Sequence, residues 1–314
     1  MPPLRAAIAQ ISPVLLDGPA TVEKICRTIA RAGADGVRLL AFPETILPGY
    51  PFWVDAGTFG RWEHASSKEI HRRLLDNSIE VPSEATRRIG DAARDAGLVA
   101  VVGVHERDRR GRTLWNALLT FGADGSLIGH HRKLVPTFGE RLVWAPGDAA
   151  GLRVHETPVG RVGGLICWEH WMPIPRQVLH DGAELVHVAA WPHVREPYLL
   201  ASRHYAFEGR CFVLAAGMVL RRDQLPADFP ADLLPRDEDA PGGQIHLGGS
   251  CIIGPDGVVI AGPAGTEETI LAADLDPARV GAESLSLDTG GHYARPDLFR
   301  LQVERRRPGT VSEG

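Results

Sequence analysis

The stretch that decides the fold is Val162-Gly163-Gly164-Leu165-Ile166-Cys167-Trp168-Glu169. An apolar run that contains two glycines ends in a cysteine, and a proline-containing segment follows. This pattern predicts a buried strand that turns sharply towards a helix and presents a thiol at its carboxyl end, where backbone N–H groups can bind an anion. Taken alone, a cysteine at such a place is more often a small buried apolar side chain than a nucleophile. The rest of the chain has to decide between these two interpretations.

The composition is that of an ordinary globular protein with a sizeable core, since 44% of the 314 residues are hydrophobic. The formal net charge is −5 and the basic residues are scattered, so nucleic acid is not expected as a partner. No apolar leader precedes Arg5, and no uncharged run approaches the roughly 20 residues that cross a bilayer, so we expect no membrane association. The four cysteines follow no CxxC spacing, which favours a reduced, cytoplasmic protein without disulfides.

Short apolar runs that predict strands alternate with helical patterns along the chain. Proline- and glycine-containing turns predict β-hairpins around 123–125, 158–160 and 255–257. The alternation predicts one α/β domain over 1–300, with sheets packed inside and helices outside, followed by a C-terminal tail over 301–314. The acidic, proline-rich segment at about 221–246 predicts an exposed surface excursion, with a lid or a subunit contact as the alternatives.

Three polar residues, Glu44, Lys133 and Cys167, stand where predicted strands end. Individually they would be a solvated acid, a surface charge and a buried thiol. Ligands of α/β sheets, however, bind at the carboxyl ends of strands, so together the three predict a reactive site. A thiolate can attack a carbon bound to nitrogen, and a carboxylate can take the thiol proton and activate water. A fixed ammonium and the Trp168 N–H can stabilise the negative charge that develops on the substrate.

Three segments resemble the signature segments of the nitrilase superfamily of carbon–nitrogen hydrolases, namely Phe42-Pro43-Glu44, Arg132-Lys133-Leu134-Val135-Pro136-Thr137 and Leu165-Ile166-Cys167-Trp168-Glu169. Further segments resemble the true nitrilase branch, namely 42–51, 79–82, 139–148, 208–213, 248–251 and 293–297. All of the matching segments occur in the order of the family, from about residue 4 to about residue 300. The resemblance implies a four-layer α-β-β-α sandwich built on two packed sheets.

The resemblance also implies residue roles, with Cys167 as the nucleophile, Glu44 as the general base and Lys133 as the cation that stabilises the intermediates. Glu140 matches a second glutamate of the family, which would orient the lysine or position the substrate. An ion pair of Glu140 with Arg141 or Lys133 that only shapes the loop is the alternative. Trp168 and Glu169 directly after the cysteine favour a nitrilase over the amidase and carbamoylase branches.

The activity that the resemblance implies is hydrolysis of an organic nitrile to the carboxylic acid and ammonia, through a thioimidate and a thioester on the cysteine. An amidase or carbamoyl-amine hydrolase of the same superfamily is the alternative, and a non-catalytic interaction protein with this fold is a weaker one. No metal or other cofactor is expected, because the histidines lack ligand spacing with other donors. The family implies self-association as a homodimer or a larger homo-oligomer.

Substrate-binding residues are predicted close to the nucleophile, and they are Tyr50, Trp168, Glu169, Trp191, Pro192 and His193. Core or interface packing is the alternative for the aromatic residues, and an exposed turn is the alternative for His193. The aromatic set favours an aromatic or arylaliphatic nitrile, although bulky side chains can also narrow a pocket for a small aliphatic one. The sequence leaves open the choice of nitrile, the ratio of acid to amide product, the oligomeric state beyond a dimer and the role of 221–246.

Overall fold

The structure is a computed structural model that describes residues 3–307, and these form fourteen strands and six α-helices. The strands are β1 (Leu4–Gln10), β2 (Leu39–Ala41), β3 (Val99–Arg107), β4 (Leu114–Phe121), β5 (Leu127–Arg132), β6 (His155–Thr157), β7 (Gly160–Ile166), β8 (Val186–Ala190), β9 (Phe212–Ala216), β10 (Val219–Arg221), β11 (Gln244–Leu247), β12 (Cys251–Ile253), β13 (Val259–Ala261) and β14 (Thr269–Leu275). The helices are α1 (Gly18–Ala34), α2 (Ala65–Asn77), α3 (Glu84–Ala96), α4 (Pro173–His180), α5 (Glu196–Gly209) and α6 (Ala278–Glu283). Within the described range, no helix combines the length and the apolar character needed to cross a membrane.

Two six-stranded sheets contain most of the strands. The first sheet has the order β14-β1-β2-β3-β4-β5, and the second sheet has the order β13-β12-β9-β8-β7-β6, while β10 and β11 form a separate two-stranded ribbon. Strands β1, β2 and β3 are parallel neighbours in the first sheet, as are β7, β8 and β9 in the second. Parallel neighbours need a crossover connection, and the helices in these connections cover the outer faces of the sheets.

The parallel strands are apolar along their length because both of their faces are buried. In β1, Ala6 and Ile8 belong to the core between the two sheets, whereas Ala7 and Ala9 pack in the core beneath helices α1 and α3. Successive side chains of a strand point to opposite faces, so one strand supplies both cores. This is why these strands are unbroken apolar runs in the sequence.

Gly164 in β7 allows the two sheets to approach each other. A Cβ atom at this position would lie 2.8 Å from Leu118 Cδ2 of β4 in the facing sheet and 3.1 Å from the carbonyl oxygen of Val188 in β8. The first of these contacts is shorter than real Cβ atoms normally make, so a larger residue would require the Leu118 side chain or the sheets to shift.

Four layers follow one another: α1 and α3, the first sheet, the second sheet, and α4 and α5. The predicted α-β-β-α sandwich is therefore confirmed. The three predicted hairpins are present as β4–β5, β6–β7 and β12–β13. The short helix α6 lies outside the sequence-based predictions.

The segment 221–246, predicted as a surface excursion, begins and ends in the β10–β11 ribbon. Its charged residues are mostly exposed, but Phe229, Leu233 and Ala240 are buried and pack in an apolar cluster with Phe52 and Trp53. The segment therefore also supplies part of a buried wall. Of the predicted tail over 301–314, residues 308–314 lie outside the described part of the chain.

Candidate active site

The predicted thiol lies at the carboxyl end of β7 on a sharp turn. Ile166 is the last strand residue, and Cys167 has a φ of 54°, in the left-handed region that non-glycine residues rarely adopt. A 3-10 turn over Cys167–Trp171 follows directly. The backbone N–H of Trp168 opposes the effect of burial and lowers the pKa of the Cys167 thiol, which favours the thiolate form. The left-handed turn at Cys167 therefore places the sulfur beside a backbone donor.

The Glu44 carboxylate is brought to the same place by a turn that crosses β3. This turn follows β2 and passes directly over Gly103, where a Cβ atom would lie 2.3 Å from the Pro43 carbonyl oxygen and 2.5 Å from the Thr45 nitrogen. The Glu44 N–H in turn donates to the Trp191 carbonyl oxygen of the second sheet over 3.3 Å. The absence of a side chain at Gly103 is what allows the acid to sit above the sheet.

Lys133 follows the last residue of β5, and its side chain is fully buried. Its ammonium lies 2.9 Å from Glu44 Oε1 and 2.7 Å from Glu140 Oε2. One carboxylate oxygen of Glu44, one of Glu140 and the Cys167 sulfur all lie within 4.8 Å of one another. The structure therefore brings the four predicted catalytic residues into a single buried cluster, which we call the Cys–Glu–Lys cluster (Glu44, Lys133, Glu140 and Cys167).

Glu140 is held by the loop that carries it. One of its oxygens accepts from the backbone N–H of Thr137 over 2.7 Å, and the other accepts from the Tyr50 hydroxyl over 2.9 Å. Arg141 instead donates to the Pro136 carbonyl oxygen, so the ion pair of Glu140 is with Lys133. Glu140 thus fixes the lysine and connects it to Tyr50.

Asn116 in β4 completes the surroundings of the acid, and sequence reasoning missed it. Its Nδ2 donates to Glu44 Oε1 over 2.6 Å, while its backbone carbonyl accepts from the Lys133 N–H over 2.8 Å. The other Glu44 oxygen, Oε2, has no hydrogen-bond partner among residues 3–307. That oxygen is the one left to take a proton. A lone amide within the apolar run of β4 is the sequence signal that could have identified Asn116.

A second missed pair forms the wall behind Lys133. The Trp144 ring lies 5.7 Å from the Lys133 ammonium, and its indole N–H donates to His105 Nδ1 over 3.0 Å. His105 Nε2 is 3.0 Å from the Gly49 carbonyl oxygen, so it carries the proton and donates to it. Burial lowers the pKa of His105 to about 3, which keeps the ring neutral. The pair fixes the turn that precedes Tyr50.

Electrostatics distribute the protons in the cluster. Burial raises the pKa of Glu44 to about 7, against the opposing effect of Lys133. Burial, together with the nearby Glu44 carboxylate, raises the pKa of the Cys167 thiol well above its usual value. Burial lowers the pKa of Lys133, but the Cys167 sulfur when it is ionised and the carboxylates of Glu44 and Glu140 outweigh this effect and raise the pKa overall. The resting site therefore holds a charged lysine, a protonated thiol and a carboxylate able to exchange its proton near neutral pH.

Glu169, one of the predicted substrate-binding residues, lies between the two sheets. Its carboxylate is buried and accepts hydrogen bonds from His131 Nε2 over 3.0 Å, from the Leu134 N–H over 2.8 Å and from the Ile166 N–H over 2.7 Å. These donors come from both sheets, beside Lys133 and Cys167. Glu169 holds the two strand ends together, and its oxygens are not available to a substrate.

The aromatic residues beside the nucleophile also differ from the prediction. Trp168 is 45% exposed, and it acts on the Cys167 thiol through its backbone N–H, which lowers the thiol pKa. The Trp191 side chain is fully buried, stacks between His170 and Tyr198, and donates from Nε1 to the Ser202 hydroxyl over 3.0 Å. Trp191 is a core residue behind the site, as its packing alternative stated.

A cavity of about 790 Å³ lies next to the cluster, and three predicted substrate-binding residues, Tyr50, Pro192 and His193, line it. Tyr50 connects the cavity wall to the cluster, because its hydroxyl donates to Glu140. The remaining walls are aromatic and apolar side chains with charged residues among them, including Phe52, Tyr198, Leu233, Ile245, His246, Asp55 and Arg195. Leu233 comes from the segment 221–246, so this segment forms one side of the cavity.

The acidic groups of the cluster have a spacing that would suit a metal ion. The Lys133 ammonium, however, already bonds to both carboxylates and supplies the positive charge there. The donor set therefore does not call for a cation from outside the chain.

Comparison with known proteins agrees with this geometry. The family model described as carbon-nitrogen hydrolase matches residues 5–283. An aliphatic nitrilase from Sinorhizobium fredii is 39% identical to this chain over 99% of both proteins. A bifunctional nitrilase/nitrile hydratase from Lupinus angustifolius is 36% identical over 99% of this chain and 89% of the relative. Among solved structures, a carbon-nitrogen hydrolase from Helicobacter pylori superposes with a TM-score of 0.72 at 18% identity, covering 95% of this chain and 97% of that one.

Proposed function

The chain belongs to the carbon–nitrogen hydrolase family, and we propose that it is a nitrilase, which hydrolyses an organic nitrile to the carboxylic acid and ammonia. The observation that carries the proposal is the buried Cys–Glu–Lys cluster in a chain whose relatives are named nitrilases along nearly its whole length. A thiol, a proton acceptor and a fixed cation are the groups that addition to a carbon–nitrogen triple bond requires.

In the proposed mechanism Glu44 takes the thiol proton as the Cys167 sulfur attacks the nitrile carbon, which gives a thioimidate. Lys133 and the Trp168 N–H stabilise the negative charge that develops on the nitrile nitrogen. Water activated by Glu44 then adds to the thioimidate, and ammonia leaves after protonation. A second water hydrolyses the remaining thioester and releases the carboxylic acid. A pKa of about 7 suits Glu44 to both tasks, because a group that exchanges protons near the working pH serves as acid and as base.

The addition of water to the thioimidate gives a tetrahedral intermediate, which can break down in a second way. If the thiolate leaves instead of ammonia, the product is an amide, which is the reaction named in the nitrile hydratase half of some relatives' names. The groups that protonate the departing nitrogen decide whether ammonia or the thiolate leaves. In this scheme Lys133 and Glu44 are the side chains closest to that nitrogen. We propose that acid is the main product and amide the minor one.

The size of the cavity supports a nitrile larger than the smallest aliphatic ones. About 790 Å³ lies within the range of sites that hold a drug-sized molecule. Its aromatic walls suit an aryl or a branched alkyl group next to the nitrile. We therefore propose an arylaliphatic or a bulky aliphatic nitrile as the substrate.

The test is ammonia release from a panel of aromatic, arylaliphatic and aliphatic nitriles and their amides, with the acid and amide products quantified. We expect turnover of nitriles, and turnover of amides alone would instead favour an amidase. In Cys167→Ala we expect ammonia release to fall at least 10⁴-fold, to about the uncatalysed level, because no nucleophile remains. Cys26→Ser is the matched control, since Cys26 lies half-buried on α1, and it should keep wild-type turnover.

We further propose that the chain forms at least a homodimer. Apolar side chains are exposed on the turn after Cys167 and on α4 and α5, which contact this turn; they are Trp168, Trp171, Ile174, Leu200 and Phe207. Light scattering coupled to size exclusion should give a dimer or larger species, and Leu200→Asp should shift it towards monomer. Leu285→Asp, at an exposed position outside this surface, is the control. A wild-type protein that is only monomeric at micromolar concentration contradicts the proposal.

A cytoplasmic location is also proposed, because all four cysteines are free thiols, as a reducing compartment favours. Cell fractionation that finds the chain outside the cytoplasm would overturn this.

A further inference from the structure

A buried chain of hydrogen bonds runs from the backbone of Cys167 into the second sheet. His170 Nδ1 lies 2.6 Å from the Cys167 carbonyl oxygen, and His170 Nε2 lies 3.0 Å from His187 Nε2. His187 Nδ1 is 2.8 Å from Glu184 Oε1, and the Tyr205 hydroxyl donates to Glu184 Oε2 over 2.5 Å. We call these four side chains the histidine network (His170, His187, Glu184 and Tyr205). No step of the proposed mechanism uses them.

The hydrogen-bond partners fix where each proton of the network lies. A carbonyl oxygen only accepts, so His170 Nδ1 carries a proton and donates to Cys167. Burial lowers the pKa of His170 to about 3 and that of His187 well below its usual value, so both rings are neutral. His170 Nε2 therefore accepts from His187 Nε2–H, which leaves His187 Nδ1 as an acceptor. Glu184 must then donate as a protonated acid, and burial raises its pKa to about 7 in agreement with this.

The packing around the network fixes the positions of its side chains. Gly163 in β7 faces Glu184 so closely that a Cβ atom there would lie 1.8 Å from Oε1. Tyr205 stacks on His187 with ring centroids 3.7 Å apart, and Trp191 stacks on His170 at 4.7 Å. Each ring is therefore held in place, and only the protons can shift.

We propose that His170 is a positioning residue for the nucleophile, and that the histidine network holds the Cys167 carbonyl only while the proton shared by Glu184 and His187 is present. This proposal rests on the proposed function, because it assigns a role in placing the sulfur that attacks the substrate. The hydrogen bond from His170 holds Cys167, the residue of the turn whose backbone is in the left-handed conformation. It therefore stabilises the geometry that presents the thiol.

Loss of that proton to solvent reverses the direction of the network. The Glu184 carboxylate then accepts from His187 Nδ1–H, and His187 Nε2 becomes an acceptor. His170 can satisfy it only by moving its own proton to Nε2, which turns an Nδ1 lone pair towards the Cys167 oxygen 2.6 Å away. Two acceptors at that distance repel, so the carbonyl is released and the turn loses its anchor.

The groups around the network belong to several elements. Glu184 faces His187 of β8, Tyr205 of α5 and His180 of α4, with Cys211 nearby. The charge of Glu169 raises the pKa of His170, and the charge of Arg176 lowers it. Arg176 also donates to the His170 carbonyl oxygen. His180 and Arg176 both bond to Glu208, so these positive or titratable groups are already paired outside the network. Glu184 therefore sets the direction of the pH dependence. The enzyme is active when Glu184 is protonated, and activity is lost as the pH rises.

The experiment compares three variants with the wild-type enzyme over the pH range, using the best nitrile of the panel. His170→Phe removes the donor to Cys167, and we expect kcat to fall on the order of 100-fold with little change in KM. Glu184→Gln keeps a donor to His187 and an acceptor for Tyr205 but cannot titrate. We expect the wild-type kcat to fall above about pH 7, and we expect Glu184→Gln to have near-wild-type kcat at neutral pH without this alkaline fall. His71→Gln, at a partly buried histidine of α2 that contacts no member of the network, is the control and should keep both kcat and the alkaline fall.

An E184Q enzyme that keeps the alkaline fall, or that loses kcat as H170F is expected to, overturns the proposal, and so does a folded H170F enzyme with wild-type kcat. Near-UV circular dichroism reports whether H170F is folded, and if it is not, the pH profile of E184Q decides alone. If the wild-type chain turns over amides but no nitrile, the proposed function fails. The same variants then test the network on the amide, because the network acts on the nucleophile whatever the substrate.

Discussion

At the scale of single residues, the acid of the cluster is controlled by three neighbours. Burial raises the pKa of Glu44, Lys133 lowers it, and the Glu140 charge raises it again. The Asn116 amide adds a hydrogen bond of 2.6 Å to the charged form and lowers the pKa. These opposing effects place the pKa of Glu44 at about 7, so that both the protonated and the ionised carboxyl are populated near neutral pH.

Asn116→Ala tests this balance. Without the amide donor the pKa of Glu44 rises further above its ordinary value, because a hydrogen bond to a charged group stabilises that form by about 1.5–3 kcal/mol. Glu44 acts as a base only when it is ionised, so the acid limb of the pH profile should move to higher pH and kcat at pH 6 should fall more than kcat at pH 8. Thr120→Ala, at another buried polar residue of β4, is the control and should leave the limb in place. An unmoved limb in Asn116→Ala would rule out this role of the amide.

Residues at strand ends could be predicted from the sequence, whereas residues within strands could not. Glu44, Lys133 and Cys167 each interrupt an apolar run, and the carboxyl ends of strands in these sheets converge. Asn116 meets Glu44 across 72 positions of sequence, and no local pattern announces such a pairing. Trp168 and Glu169 adjoin the nucleophile in sequence, and this proximity favours a role in substrate binding. The pattern predicts a sharp turn at Cys167 but not its left-handed backbone, so the directions of the following side chains could not be predicted.

At the scale of secondary-structure elements, the site lies where hydrogen bonds join the two sheets. Glu169 bonds to His131 and Leu134 beside β5 of the first sheet and to Ile166 of β7 in the second. The Glu44 N–H donates to the Trp191 carbonyl oxygen after β8. Burial raises the pKa of Glu169, but His131 and the two backbone donors lower it below its usual value overall, so the joint is made by a charged carboxylate.

Glu169→Gln should weaken this joint. An amide presents only one acceptor oxygen, so at least one buried backbone N–H loses its partner, and the free energy of unfolding should fall by about 1.5–3 kcal/mol. We also expect a lower kcat, because Lys133 and Cys167 adjoin the separated strand ends. Urea denaturation measures the first effect and steady-state kinetics the second. Glu156→Gln, at an exposed ion pair with Arg161, should change stability by less than about 0.5 kcal/mol. Equal stability of the two variants would contradict the assigned role of Glu169.

At the scale of the whole molecule, the two sheets meet through a core of small and branched side chains, and Gly164 sets how closely they approach. Leu118 of the first sheet occupies the space in front of this glycine. The fit therefore depends on a pair of residues from different sheets, and neither is recognisable alone as a determinant of sheet spacing.

Gly164→Ala should destabilise the fold by about 1–3 kcal/mol, because the new methyl group overpacks the core against Leu118. In a Leu118→Ala background the same change should cost less, since the opposing side chain has been shortened, and the two effects should not add. Thermal or urea unfolding of the single and double variants measures this coupling. Gly281→Ala in α6, where a Cβ atom meets nothing within 4 Å, should not destabilise. Strict additivity would show that the contact between the sheets does not limit this position.

The order of the layers could be predicted from the sequence, but the β10–β11 ribbon and the packing of the segment between its strands could not. Unbroken apolar runs joined by helical patterns predict parallel strands, and turn residues predict the three hairpins. The β10–β11 ribbon lies outside those patterns, because its strands are three and four residues long and pair across an acidic segment. Phe229, Leu233 and Ala240 are buried there by contacts with the distant loop around Phe52, which composition alone does not indicate.

The reacting groups come from different sheets, with Glu44 and Lys133 on the first and Cys167 on the second. The reaction centre is therefore assembled across a packing interface and is present only when both halves are in register. A loosened state that kept every helix and strand but let the two sheets separate would retain its far-UV circular dichroism and lose its turnover. For this molecule, catalytic rate measures the closure of the interior more sensitively than secondary structure does.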